Sequence, residues 1–487
     1  MSLSMYPALN GGQFRLFNDR QVNAIHEGVV RLLEDVGLKV KSKRAYEIFE
    51  KSGALTDPAA ETVRIPRTLL EKAIRTAPSR VTIHGREEKD DVVLEKNRVH
   101  FGTGGTVMYA LDFETGERRL THTQDVRDLA RLVDGLENIA FYVIHTYPAD
   151  VAEKDVDVNR FYWAITNTTK PIMGGMYTLE GLREAIKVSE MVAGGADKLR
   201  ERPFVSFITL MVSPLVMDWH YTDFLIEVAA KGLPLAVPSE PLAGATSPVT
   251  LASTITLNLA ESLAGLTLAQ LVRPGTPTLI GTTSSIMDMK TGTYVAGAIE
   301  SSLINAGIAQ MAQYYGLPLY ATGGQSDAKL NDAQAGYESA AQAMVLGLSG
   351  ANWVHDAAGL LECCTTVSYE KTVIDNEILG NVLRVLRGVE VTDDTLAIDV
   401  IKAQGPGGNF LAHPHTAEHF RSEFFLPQVS DRWNRITWKQ SGSLDAHARA
   451  HQLAEKVLKT HRAVPVEPKL REEIRRLFPG ITGEDLG

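Results

Sequence analysis

Hydrophobic positions near the start of the chain recur with the spacing of one face of an α-helix. The first such run begins after Asn18 or Asp19, and either residue can cap a helix. Its apolar positions are Val22, Ile25, Val29, Leu32, Leu33 and Val36. Shorter helices are predicted over residues 44–51 and 67–76, and short strands around residues 81–85 and 91–94. We therefore predict a helical N-terminal extension over residues 1–98.

From residue 99 onward, short apolar runs alternate with helix-length segments, which is typical of parallel βα units. The apolar runs cover residues 99–105, 139–145, 171–177, 204–210, 234–240, 277–283, 318–324 and 351–357. Parallel strands are buried on both faces, and this explains why each run is almost continuously apolar. Intervening helices are predicted over residues 123–136, 179–192, 222–231, 295–315 and 331–348.

Eight βα units predict an α/β fold, a (β/α)8 TIM barrel over residues 99–388. The remaining residues, 389–487, return to helical and irregular patterns and are predicted to form a C-terminal extension packed on the barrel. The alternative is an open, doubly wound sheet. It is less favoured because no Gly-x-Gly-x-x-Gly fingerprint follows an early strand and no Walker-type motif occurs.

Charge and cysteine content narrow the function classes. The formal net charge of -10 argues against nucleic acid or an anionic membrane as partner, because both require a basic surface. Two cysteines, adjacent at Cys363 and Cys364, exclude a disulfide framework and favour buried free thiols in a reducing compartment. Residues 1–7 lack the basic and apolar regions of a signal peptide, so a cytoplasmic protein is expected.

One segment, residues 249–272, is long enough to span a bilayer and carries the single formal charge of Glu261. Threonines, serines, Asn258 and Gln270 interrupt its apolar character, and short β-like runs flank it. The pattern therefore favours a buried barrel helix over a membrane span.

Catalytic residues of such barrels lie at the C-terminal ends of the strands and in the loops that follow them. This rule selects Glu240 after the fifth strand and His355 with Asp356 after the eighth. A carboxylate and an imidazole that face one cavity can act as acid and base, or can fix a polar group of a substrate. The alternative is that neighbouring loop amides simply satisfy these side chains.

Tyr109, Tyr147 and Tyr177 are candidates for an aromatic wall at the same end of the barrel. Aromatic rings around a cavity attract a quaternary ammonium group through cation–π interactions, each contributing about 0.5–2 kcal/mol. Ordinary packing of aromatic residues at the barrel rim is the alternative for each ring.

The seventh strand ends in Gln325 and Asp327, with Lys329 in the loop beyond. A Schiff-base lysine, as in aldolase-like barrels, is conceivable at Lys329. Such lysines normally lie inside a strand, whereas this one follows the strand end. A capping and salt-bridge role is therefore favoured.

Residues 405–421 crowd glycines, an aromatic residue, three histidines and an arginine into one turn-to-helix junction. His415 and His419 have the i,i+4 spacing of metal ligands on a helix. His413 and His415, however, flank a proline, and no nearby carboxylate or cysteine set completes a site. We predict packing or partner contact for this segment rather than a bound metal.

This segment and residues 326–337, Ser-Asp-Ala-Lys-x-x-Asp-x-Gln-Ala-Gly-Tyr, together resemble the superfamily of trimethylamine and glycine betaine:corrinoid methyltransferases. The resemblance extends over nearly the full length of the chain. It implies a (β/α)8 barrel that transfers a methyl group from a methylated amine to the Co(I) of a corrinoid. The cobalamin is expected on a separate cognate corrinoid protein, because this chain lacks a corrinoid-binding domain.

The resemblance also distinguishes two branches. Trimethylamine enzymes of the superfamily contain pyrrolysine, whereas this chain contains standard residues only. It is therefore similar to the branch that demethylates quaternary amines, with glycine betaine as the first expectation. We assign catalysis to Glu240, His355 and Asp327, and predict a homo-oligomer. The expected substrate-binding residues are Tyr109, Tyr147, Tyr177, Gln325 and Asp356. The expected corrinoid-facing or partner-facing residues are Gly408, Asn409, His413 and His415.

Two alternatives remain at this point. The chain could be a non-catalytic scaffold that binds a corrinoid protein without turnover. It could also be a different TIM-barrel enzyme, such as a lyase or a lysine-dependent aldolase.

Overall fold

The computed structural model describes residues 9–483, so the prediction about a signal peptide in residues 1–7 lies outside it. Eight parallel strands form its central sheet. They are β1 (His100–Phe101), β2 (Tyr142–Val143), β3 (Ile172–Gly175), β4 (Val205–Ile208), β5 (Leu235–Ser239), β6 (Thr278–Thr282), β7 (Leu319–Thr322) and β8 (Trp353–His355). From β2 to β8 each strand pairs with the next, β8 pairs with β1, and a Gly102–Phe141 bridge closes the barrel. The predicted barrel and all eight strands are confirmed.

A helix follows each strand and packs on the outside of the barrel. These helices are α1 (Thr123–Asp134), α2 (Val156–Asn167), α3 (Leu179–Ala193), α4 (Trp219–Lys231), α5 (Leu251–Val272), α6 (Ile299–Tyr315), α7 (Ala333–Ser349) and α8 (Tyr369–Arg387). Helix α5 is long and apolar enough to cross a membrane, but 83% of its apolar window is buried inside the protein. It packs against α4, α6, β5 and β6, which is the place of a core helix in a barrel.

The helices of the N-terminal extension pack on the outside of α5, and its hairpin covers the end of the barrel where the strands begin. Its first helix, Asp19–Arg31, is capped by Asn18 as the sequence predicts, and helices Lys43–Lys51 and Arg67–Thr76 follow. A hairpin of strands Arg80–Ile83 and Val92–Glu95 packs its apolar side chains against the barrel interior, including Phe141 and Trp353. Three further strands were not predicted: Leu38–Val40, Leu55–Asp57 and Thr62–Arg64. Each is only three residues long, which is too short to show the alternation of polar and apolar residues that indicates a strand.

Within residues 389–483, the C-terminal extension forms six helices. They are Asp393–Leu396, Ile398–Gln404, Pro414–Glu423, Arg435–Gln440, Ala446–Thr460 and Pro468–Leu477. The helix Ala446–Thr460 packs along α8 and α1. Residues 389–428, which we call the arm, are attached to the end of α8 by ion pairs from Arg384 and Arg387 to Glu423, at 3.3 and 3.0 Å.

One buried ion pair connects α8 to its surroundings. Lys371 and Asp375 are fully buried, and the Nζ atom lies 2.5 and 2.6 Å from the two carboxylate oxygens. Lys371 also donates to Ser339 Oγ on α7, at 2.7 Å. Asp375 accepts a hydrogen bond of 2.8 Å from the backbone N–H of Gly359, in the loop after β8. The pair therefore fixes the loop that leaves β8.

Candidate functional site

A cavity of about 400 Å³ opens at the C-terminal ends of the barrel strands. Strand ends and the loops beyond them contribute Gly105, Gly175, Glu240, Thr283, Gln325, His355 and Asp356 to its wall. Among the predicted site residues, Glu240, His355, Asp356, Gln325 and Tyr177 therefore meet in one place. This convergence follows from the barrel, because the carboxyl ends of all eight strands point to the same face.

Two carboxyl groups face this cavity. Glu240 follows β5, and water entering the cavity reaches its side chain, although protein atoms surround it on most sides. Burial by these walls and the nearby Asp356 carboxylate raise the pKa of Glu240 to about 7. The Glu240 carboxyl therefore titrates near neutral pH.

Asp356 is held in an unusual backbone conformation. Its φ of 61° lies in the left-handed region, which costs a non-glycine residue about 1–3 kcal/mol and is concentrated at functional sites. Oδ2 accepts a hydrogen bond of 2.6 Å from Gln325 Nε2 and lies 3.1 Å from His355 Nε2. Oδ1 is buried and has no hydrogen-bond partner within residues 9–483. That free oxygen is therefore available to a ligand or to water.

His355 is fixed on both sides of its ring. Nδ1 lies 2.7 Å from the carbonyl oxygen of Ala321 and donates to it, which leaves Nε2 directed at Asp356. The ring stacks on Tyr320 with centroids 4.0 Å apart. Nε2 also lies 3.0 Å from the Thr322 hydroxyl, so the ring connects the end of β7 to Asp356.

Gly104 makes room for Asp356. A Cβ atom built on Gly104 would lie 2.1 Å from Asp356 Oδ1 and 2.4 Å from its backbone nitrogen. Neither atom can move without displacing the end of β8. The chain therefore needs a glycine after the first strand, because a larger residue there would collide with Asp356 at the cavity.

We expect Gly104→Ala to lower any enzymatic activity of this cavity at least about 10-fold, because a displacement of 1 Å at a site can cost far more than that. Gly336→Ala is the matched control, since a Cβ on helix α7 at that position meets nothing within 4 Å. Steady-state kinetics of both variants, with circular dichroism to check folding, test this. Equal activity of Gly104→Ala and the wild type would contradict it.

Tyrosines form a large part of the remaining wall. Tyr177, Tyr221, Tyr294 and Tyr320 line the cavity together with Met176. Tyr177 was predicted. Tyr221 and Tyr294 come from α4 and from the short strand Tyr294–Val295 beyond β6, so only the folded chain brings them here. Four phenol rings around two acids form a surface that suits a cation.

Two predicted aromatic residues lie just outside this wall. Tyr147 packs edge-on against Tyr177, with ring centroids 5.0 Å apart. Tyr109 lies in the hairpin strand Tyr109–Leu111 and is covered by Arg118, whose Cζ lies 3.5 Å from the ring centroid. Tyr109 therefore already has a cationic partner, while Tyr147 supports a ring that faces the cavity.

Asp327 and Lys329 belong to the loop around the cavity rather than to its lining. Asp327 Oδ1 accepts a hydrogen bond of 2.8 Å from the backbone N–H of Ala296, and its own N–H donates to Glu338. Lys329 is exposed and donates from Nζ to the carbonyl of Asp327, at 2.7 Å. A lysine held in this way does not reach the cavity as a Schiff-base residue would.

The sequence-predicted partner-facing residues lie on the arm. Gly408 and Asn409 are exposed, and His413 and His415 are half-buried at the start of the helix Pro414–Glu423. No arm residue belongs to the cavity lining in the described part of the chain. The structure therefore places these four residues apart from the cavity residues.

Several contributors were missed in the sequence. Arg160 is fully buried and donates to the carbonyls of Ile144 and Gly175, at 2.6 and 2.7 Å, which fixes the ends of β2 and β3. Cys363 and Cys364 line the cavity, and burial raises the pKa of the Cys363 thiol to about 12. Both cysteines are therefore neutral thiols, as expected for unreactive groups. In the sequence, neither an arginine within a helical pattern nor two adjacent cysteines indicate that these side chains lie around the cavity.

The charge of the cavity is one-sided. No lysine or arginine belongs to its lining within residues 9–483, whereas Glu240 and Asp356 both do. His355 contacts Asp356, but no lysine or arginine offsets the charge of Glu240, and a cation that joins an acid in such a wall stabilises it. The arrangement can therefore bind a small organic cation and remove it from bulk water.

Comparisons with known proteins show the family and the fold of this chain. The sequence is 36% identical to trimethylamine methyltransferase MttB of Desulfitobacterium hafniense (strain DSM 10664 / DCB-2), covering 95% of this chain and 92% of that protein. It is 32% identical to glycine betaine methyltransferase of D. hafniense (strain Y51), covering 98% of each chain. The fold matches the crystal structure of monomethylamine methyltransferase (MtmB) from Methanosarcina barkeri. That match has a TM-score of 0.52 and 12% identity, and covers 94% of this chain and 90% of that one. Residues 3–478 match the family described as trimethylamine methyltransferase (MTTB), and the chain belongs to that family of methyltransferases.

Proposed function

We propose that this chain transfers a methyl group from a quaternary ammonium compound to the Co(I) of a corrinoid carried by a separate protein. The observation that supports it best is the acidic, tyrosine-lined cavity without a lysine or arginine in its described lining. A quaternary ammonium ion offers no N–H donor, so aromatic faces and carboxylates are the groups that can recognise it.

The chemistry of the leaving group favours a quaternary substrate. A quaternary nitrogen already carries the positive charge, so loss of a methyl group releases a neutral tertiary amine without prior activation. The chain contains standard residues only, and therefore lacks the pyrrolysine of the trimethylamine enzymes that it resembles. Glycine betaine, the substrate in the name of one relative, is the first compound to test.

The protein positions and desolvates the substrate in this proposal. Glu240 and Asp356 balance the charge on nitrogen, and the tyrosines hold the methyl groups in a fixed orientation. One methyl group must point out of the cavity mouth, toward the partner. A reduced corrinoid supplies the nucleophile: its cobalt gives two electrons to the new Co–C bond, while the C–N pair stays with the departing amine.

Glu240 makes substrate binding depend on pH. As the pH rises through about 7, its carboxyl ionises and attracts the cation more strongly. We therefore expect the KM for a quaternary amine to fall about 10-fold between pH 6 and pH 8, because the ionised fraction rises about 10-fold over that range. Initial rates at several pH values measure this. Glu240→Gln should give a flat profile between the same limits, and an unchanged slope in that variant would assign the titration to another group.

We also propose two protein partners. The first is the cognate corrinoid protein, with the exposed segment around Gly408 and Asn409 as part of its docking surface. The second is another copy of this chain, because the arm exposes many large apolar side chains. They are Val389, Val391, Leu396, Ile398, Ile401, Leu411, Phe424 and Leu426. Light scattering measures self-association. Replacement of residues 405–412 by a Gly/Ser linker, without loss of corrinoid-protein affinity, would exclude this segment as the docking surface.

The proposed reaction can be tested directly. The purified chain is mixed with its cognate corrinoid protein in the Co(I) state and with a panel of quaternary amines, and the spectrum is followed for methyl-Co(III). Formation of methyl-Co(III) with one amine identifies both reaction and substrate. Binding of the corrinoid protein with no methylation by any amine would favour a non-catalytic scaffold.

We expect a cytoplasmic location for the reaction, because a reduced corrinoid requires a reducing compartment.

A further inference from the structure

Three potential metal ligands converge on the arm, away from the cavity. Asp394, His415 and His419 each offer one ligand atom, and these atoms all lie within 4.8 Å of one another. Two of the three groups can be recognised in the sequence, since the histidines are one helical turn apart. Asp394 lies 21 residues before His415. Only the fold of the arm brings it into place.

The backbone holds both sides of this cluster. His413 caps the helix Pro414–Glu423: its Nδ1 accepts a hydrogen bond of 3.1 Å from the N–H of His415. The rings of His415 and His419 then lie side by side, with centroids 4.2 Å apart. On the other side, a capping box between Thr392 and Thr395 starts the short helix that carries Asp394.

One pair of these ligand atoms already has the spacing of a tetrahedral site. Zinc bonds to imidazole nitrogen and to carboxylate oxygen are about 2.0–2.2 Å long, so two ligand atoms of a tetrahedron lie about 3.3–3.5 Å apart. His419 Nε2 lies 3.5 Å from Asp394 Oδ2. His415 Nε2 lies 3.3 Å from the backbone carbonyl oxygen of Asp394, and the ligand atom of His415 lies within 4.8 Å of the other two. Small rotations of the side chains complete the set, and water can take the fourth position.

We propose that Asp394, His415 and His419 bind a divalent transition metal of the zinc class and that this metal holds the arm together. Imidazole and carboxylate are ligands that zinc accepts, and two neutral histidines with one aspartate leave the complex with one positive charge. The proposal does not depend on the methyl-transfer reaction, because none of the three residues lines the cavity.

The arm needs such a link because it has no core of its own. Throughout residues 387–428 of the described chain, no residue is buried, although three helices occur there. Helices as short as Asp393–Leu396 and Ile398–Gln404 are not stable in isolation. A metal that joins the first helix to the third supplies binding free energy to the folded arm, as in small domains that lack a hydrophobic core.

The test uses the full-length protein after removal of metal with a chelator. Zinc is added by equilibrium dialysis, and bound zinc per chain is measured by elemental analysis. We expect about one zinc per chain. The double variant His415→Ala/His419→Ala should bind at least about 100-fold more weakly, because loss of even a residue that supports a ligand costs 10–100-fold. His447→Ala, an exposed histidine on the helix Ala446–Thr460, is the matched control and should keep the site.

Limited proteolysis gives a second readout that is independent of activity. Trypsin can cleave within the arm at Lys402, and zinc should slow this cleavage in the wild type but not in Asp394→Asn or in the double variant. Cleavage fragments identify the position. No zinc uptake by the wild type, or equal uptake by the double variant, would overturn the proposal. If the variants lose zinc uptake but zinc does not change the rate of cleavage in the wild type, the metal does not hold the arm together.

Discussion

Replacement of Lys371 by methionine is expected to lower the free energy of unfolding by about 3–5 kcal/mol, the cost of leaving a buried charge without its partner. Asp375 has no accessible surface, and Lys371 supplies both of its short ionic contacts. Its remaining hydrogen bonds, from the backbone N–H of Gly359 and the side chain of Ser339, cannot balance a full charge. The change also leaves Ser339 on α7 without its lysine donor.

Chemical denaturation followed by circular dichroism measures this effect. The double variant Lys371→Met/Asp375→Leu should recover most of the loss, since removal of both charges leaves no unpaired ion. Lys187→Met on the surface of α3 is the control, and its effect should stay within about 0.5 kcal/mol. If the single and double variants lose the same stability, packing rather than charge pairing holds α8 in place.

The sequence predicts the barrel well because its strongest signals are local. Each barrel strand is buried on both faces, so it appears as a continuous apolar run whose position needs no knowledge of the fold. The strand-end rule then places Glu240, His355 and Asp356 at one cavity, since parallel strands end on one face. Short strands such as Leu38–Val40 carry no comparable signal.

The details of the cavity wall depend on tertiary contacts instead. Gln325 and Asp327 are two residues apart after β7, yet only Gln325 belongs to the lining. Glu338 on α7 accepts a hydrogen bond from the backbone N–H of Asp327, and this contact determines the course of the loop. Tyr294 reaches the cavity from a strand beyond β6. No hydrophobic periodicity in the sequence predicts that a residue so far beyond its strand lines the cavity.

The two histidine regions, His355 and the pair His415 and His419, differ in how far the sequence alone predicts their surroundings. His355 is the last residue of barrel strand β8, so its position could be predicted from the fold class alone. His415 and His419 have the spacing of ligands, but the third group, Asp394, comes from a different helix of the arm. Spacing within one helix cannot show whether a cluster is completed from elsewhere. A metal site built across two segments therefore becomes visible only in the structure.

Glu240→Gln is expected to raise the KM for the quaternary amine about 100-fold at pH 8. At this pH the Glu240 carboxyl, with its pKa of about 7, is ionised. A carboxylate about 5 Å from the ammonium nitrogen contributes about 3 kcal/mol at an effective dielectric constant of 20. That free energy corresponds to roughly a 100-fold change in binding. The glutamine keeps the size of the side chain and removes only the charge.

The effect on kcat distinguishes binding from acid–base catalysis. Positive charge leaves the nitrogen as the methyl group departs, so Glu240 stabilises the bound substrate more than the transition state. Its removal should therefore leave kcat unchanged or slightly higher, while KM rises. Single-turnover methylation of the corrinoid protein at saturating amine measures kcat, and Glu180→Gln on the exposed first turn of α3 is the control. A large fall in kcat with unchanged KM would mean that Glu240 transfers a proton in the reaction rather than binding the cation.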